Sequence, residues 1–91
     1  FVAADLAAVH ANLTFVAGNA PAVGQVGFVA LANTDGAADQ AVAFIAQSES
    51  RTWFCLLDEA SGSRAGTFFG LAAPPSTGAD LDTIAECVGG W

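Results

Sequence analysis

The chain has no lysine, no methionine, a single histidine and only two cysteines. Each scarcity excludes something. Arg51 and Arg64 are the only fixed cations against nine carboxylates, for a net charge of −7. Phosphate backbones and anionic lipid surfaces are gripped by clustered Lys and Arg. Two isolated arginines cannot form such a cluster, so no nucleic-acid or membrane-surface partner is expected for this chain by itself. With His10 as the only histidine, Ser–His or Cys–His catalysis would have to pass through it. It stands next to Val9, away from any nucleophile motif, and reads as an exposed or partly packed side chain. No GxSxG, SxxK or HExxH pattern occurs. No catalytic residue, cofactor or metal is expected. No apolar run reaches the ~18 residues needed to span a bilayer. The absence of Met, with Phe1 in front, suggests a processed or trimmed piece, with any targeting or anchoring segment upstream.

What is present fits one small domain of 91 residues and 9.1 kDa. Hydrophobic residues make up 54% of the chain, but 21 of them are Ala, which brings little apolar area. Leu, Ile, Val and Phe number 24, enough to clear the roughly 20% below which disorder is expected. A chain this short buries only about 60–65% of its unfolded surface, so a covalent staple would help. Cys55 and Cys87 have no CxxC spacing and no nearby His cluster, which argues against zinc and redox motifs. They read as one disulfide, with two buried free thiols as the alternative. A bridge would close a loop of about 32 residues, worth roughly 3.5–4 kcal/mol by chain entropy. It would also imply an oxidising compartment.

Along the chain, residues 1–13 read as a helix. Val2, Leu6, Val9 and Leu13 fall on one face, and Ala, the best helix former, covers much of the rest. Residues 18–25 form a breaker-rich loop. Strands are expected at 26–33, 41–48, 52–58 and 67–70. The turns between them hold Thr34-Asp35-Gly36, Glu49-Ser50-Arg51 and the 60–66 loop. A turn about every ten residues, with no helix between strands, indicates an antiparallel meander. Alternation separates Trp53, Cys55 and Leu57 from Phe54, Leu56 and Asp58, and neither face of that strand is polar. Pro74-Pro75 ends the fourth strand. A short helix is expected within 76–88, from the spacing of Leu81, Ile84 and Val88, with Asp80 and Asp82 near its N-terminus.

The stretch VGFVALANTDGAADQAVAFIAQSESRTWFCLLD, the later TFFG and the terminal CVGGW together resemble the globular part of a type IV pilin or pilin-like protein of actinobacterial style. The matching features are a Ser-rich turn at Ser48–Ser50, the aromatic–Cys pair Phe54–Cys55, and a late cysteine, Cys87. The resemblance implies a long N-terminal helix whose second half, residues 1–13 here, packs on the sheet. It implies that Cys55 and Cys87 are paired around a surface-exposed segment. The family's signal cleavage site, its apolar run of about twenty residues and the Glu within it are all missing here. The helix was therefore either truncated or belongs to a separate small subunit, as in split pilins.

Other motifs are weaker. Asp80, Asp82 and Glu86 could serve acid–base chemistry or hold calcium, but lack a clear ligand array and read as a solvated acidic cap. Asn33-Thr34-Asp35-Gly36 partly matches a calcium loop, lacks the downstream Glu, and reads as a hairpin turn. Asn12-Leu13-Thr14 matches a glycosylation sequon, a short motif common by chance. Trp53, Phe54, Phe68 and Phe69 read as core aromatics, with an exposed subset at a subunit interface as the sharper possibility.

The expected fold is α+β in a single domain: an N-terminal helix (1–13) on a four-stranded antiparallel meander sheet (26–70), with a disulfide-tied tail (71–91). The expected function is structural, as a subunit of an extracellular type IV pilus or related filament. Its expected partners are other pilin subunits, including a separate helix subunit, with the membrane reached only through a missing N-terminal segment. A pseudopilin of a type II-like secretion system and a small secreted acidic binding or inhibitor module are the alternatives.

Overall fold

The computed structural model describes residues 14–91. They form a single five-stranded sheet, ordered β1-β2-β3-β4-β5. The strands are β1 (Thr14–Ala17), β2 (Gln25–Leu31), β3 (Ala41–Gln47), β4 (Trp53–Glu59) and β5 (Gly66–Ala72). The only helical element among the described residues is a 3-10 turn at Gly78–Asp80.

This overturns the expected α+β fold of a helix on a four-stranded meander. The sheet has a fifth strand, β1, and it is mixed: β1 pairs with β2 in parallel, Phe15 opposite Val26. The other pairs are antiparallel, from Phe28 opposite Phe44 to Cys55 opposite Gly70. The expected 1–13 helix, with Val2, Leu6, Val9 and Leu13, lies outside the described residues, as do His10 and the Asn12 of the sequon. The short helix expected within 76–88 is also not found. Apart from the 3-10 turn, that segment is a run of turns. Leu81 is buried and Val88 exposed, so the three-and-four spacing does not produce one buried helical face.

The hairpin turns form where the chain can satisfy their backbone groups locally. Asn33 is buried, and its Oδ1 accepts from the backbone N–H of Asp35 (3.0 Å) and Ala37 (2.9 Å). The N–H of Gly36 reaches the Asn33 carbonyl at 2.9 Å, and its φ of 86° is one that glycine adopts without cost. The 48–52 turn closes with Arg51 N–H on the Ser48 carbonyl, 2.9 Å.

Strand alternation splits the sheet into two faces. The back face carries Ala41, Ala43, Ile45, Trp53, Cys55 and Leu57, which form the core with Leu81 and Cys87. Two loops cover it. Residues 18–24 lie over β2, where a Cβ on Gly27 would meet the Pro21 ring at 2.9 Å. The segment after β5 lies over β3, β4 and β5, held by the Cys55–Cys87 disulfide. The disulfide expectation is therefore met. The sheet comes so close to its cover that a Cβ on Gly70 would sit 2.8 Å from the Cys55 sulfur and 3.1 Å from the Cys87 Cα.

Candidate functional site

The front face is the more unusual surface. By register it carries Phe15 on β1, Val26 and Phe28 on β2, Val42, Phe44 and Ala46 on β3, Phe54 and Leu56 on β4, and Phe69 and Leu71 on β5. Phe28 and Val42 are buried, and burial falls away toward β5, where Phe69 is 38% and Leu71 48% exposed. Asp58, at one end of β4, is the only charged side chain that the β2–β5 register places on this face. Toward β5, Trp91 reaches over it from outside the sheet. The indole meets the Phe54 ring edge-on at 5.9 Å between centroids and the Phe69 ring at 4.9 Å. Its Nε1 donates to the Cys55 carbonyl at 3.1 Å. Between this indole and the sheet lies an open cleft of about 330 Å³, walled by Val26, Phe44, Phe54, Leu56 and Trp91. Phe15 stands edge-on to Phe44 at 6.5 Å and continues the aromatic strip toward β1.

The aromatic residues singled out from the sequence do not form one group. Trp53 and Phe68 face the covered back, where Trp53 is 8% exposed and Phe68 packs against the core cluster. Phe54 and Phe69 face the front and meet through Trp91. Trp91 completes the front strip, and sequence reading did not include it. The available signal was the Gly89-Gly90 pair, two residues free to turn a chain sharply just before a tryptophan.

The acidic residues are dispersed in separate hydrogen bonds, two of them local and one to the distant Asn19. Asp80 Oδ2 accepts the Thr77 N–H at 2.8 Å, Asp82 Oδ2 accepts from Asn19 Nδ2 at 2.8 Å, and Glu86 Oε1 accepts from the Thr83 hydroxyl at 3.0 Å. Among the described residues no group of three or more His, Cys, Asp or Glu could hold a metal ion. Asp35 accepts the Ser63 hydroxyl at 2.6 Å and the Ser63 N–H at 2.8 Å. The hydroxyl bond, and then the backbone bond, hold its carboxyl below the ordinary aspartate value.

A second polar feature is internal. Glu59 ends β4 with its side chain fully buried, 3.5 Å from the Nε of Arg64. Arg64 also lies over the Phe68 ring, 4.1 Å from its centroid, and donates to the Ile84 carbonyl at 3.0 Å. One of the two arginines is thus spent inside the fold, tying the 60–65 loop to the segment that covers the back.

Comparisons with protein-family models, with curated proteins and with solved structures find no match to this chain.

Proposed function

We propose that this chain is a structural, non-catalytic subunit of an extracellular filament of the type IV pilus kind, packing on neighbouring subunits through the front of its sheet. The observation that carries the proposal is the contrast between the two faces. The back is closed by a disulfide-held cover, whereas the front presents Phe54, Phe69, Leu71 and Trp91 beside an apolar cleft. A contiguous exposed apolar strip is costly in a free monomer and marks an interaction surface. The aromatic–Cys pair at Phe54–Cys55 and the late Cys87 supply the pilin resemblance. A disulfide is in keeping with an oxidising, extracellular setting. A pseudopilin of a secretion machine would use the same face in the same way.

The test is made on the source cells. Antibody raised against this chain should label surface filaments by electron microscopy. Replacing the chromosomal copy with a Phe69→Asp variant should remove the filaments while the protein is still made and its disulfide still forms. Recovery of the unaltered protein as a free species in the medium, with no labelled filament, would overturn the proposal and favour a secreted acidic module.

A further inference from the structure

We infer that residues 88–91 act as a strap that closes the β5 edge against strand addition by a second copy of this chain. β5 is one of the two outer strands of the sheet. An outer strand offers a row of unpaired N–H and C=O groups, the ordinary template for edge-to-edge association. Here the chain passes from one face of β5 to the other. Cys87 is on the back, bonded to Cys55. Gly89 and Gly90 follow with φ of 96° and 84°, the left-handed turns that glycine permits. The Gly90 N–H then donates to the Phe69 carbonyl of β5 at 2.8 Å, and Trp91 ends on the front between Phe54 and Phe69.

The bond from Gly90 identifies which β5 groups face outward. Outward-facing groups alternate along an antiparallel edge strand, so Thr67 and Leu71 share the orientation of Phe69. The strap occupies the middle of this row. A partner strand would need the whole row, and cannot dock while Gly90 and Trp91 lie across it. The strap is anchored at both ends, by the disulfide on the back and by the Trp91 indole bond to Cys55 on the front. Both anchors fall on the same residue of β4. The inference concerns the edge, whereas the filament reading concerns the front face; Trp91 takes part in both, and Gly90→Pro tests the edge with the front tryptophan kept.

The test compares four forms of the chain by sedimentation equilibrium. The unaltered chain should remain at monomer mass. Gly90→Pro removes the N–H and forbids the positive φ, and Trp91→Ala removes the front anchor; each should shift the mass toward dimer. Adding Thr67→Pro to Trp91→Ala should return it to monomer, because proline is accepted on an outer strand but denies the edge a donor. Monomeric Gly90→Pro and Trp91→Ala proteins, with their disulfide confirmed by mass spectrometry, would overturn the inference. So would a Trp91→Ala dimer that persists with Thr67→Pro, since that dimer would not use the β5 edge.

Discussion

Glu59 accepts two hydrogen bonds from one residue: the backbone N–H and the hydroxyl of Thr34 both reach its Oε1 at 2.7 Å. A buried carboxylate at the end of β4 thereby fixes the turn between β2 and β3, while its other oxygen faces Arg64 without a hydrogen bond of its own. Glu59→Ala would strand both Thr34 donors and the guanidinium, at a cost of about 2–3 kcal/mol. Glu59→Gln keeps an acceptor for Thr34 and should cost clearly less. Urea unfolding of the two variants measures the difference. Equal losses would assign the energy to the ion pair and not to the Thr34 bonds.

The disulfide should be a principal stabiliser. The Cys55–Cys87 bond joins residues 32 apart in sequence, and replacing both with Ala should lower unfolding free energy by about 3.5–4 kcal/mol. Both sulfurs are buried and bonded to each other, so free-thiol labelling of the unaltered chain should remain negligible even in denaturant and appear only once a reductant is added.

Asp35 gives the turn network a pH dependence. Its folded-state carboxyl is held below the unfolded value, so the charged form contributes stability that is fully present above the unfolded value and lost as pH falls through the folded one. Ser63→Ala removes the larger of the two causes and should move the carboxyl part of the way back, since the Ser63 N–H still donates. NMR titration of the Asp35 side-chain carbon reads the shift directly. A titration unchanged by Ser63→Ala would refute the assignment.

Much of the sheet was legible because its signals are local. Asn33-Thr34-Asp35-Gly36 and Ser48-Glu49-Ser50-Arg51 are turn chemistry, and the apolar alternation between them fixed where β2, β3 and β4 run. β1 was not legible. Thr14–Ala17 is only four residues long and follows an alanine-rich run with helical spacing. Its partner is a parallel neighbour, reached through a loop without the tight-turn signature of a hairpin. The cover on the back misled for a different reason. Leu81, Ile84 and Val88 have helical spacing, but the disulfide at Cys87 and the close approach at Gly70 dictate the path, and neither acts through periodicity. Glu59 lies just past the expected third strand, 52–58, and nothing in its local sequence marks it as buried. Only the fold brings Thr34 and Arg64 to it.

The use of Arg64 inside the fold has a consequence for the outside. Its charge is matched by Glu59, so the carboxylates over the rest of the molecule are answered by Arg51 alone among fixed cations, and each copy carries its full −7 into any encounter. Like-charged copies repel across a screening length of about 10 Å at 0.1 M ionic strength. The front-face contact proposed above would have to overcome that repulsion, so the proposed filament should assemble more readily as salt is added, while the isolated chain at low salt stays apart.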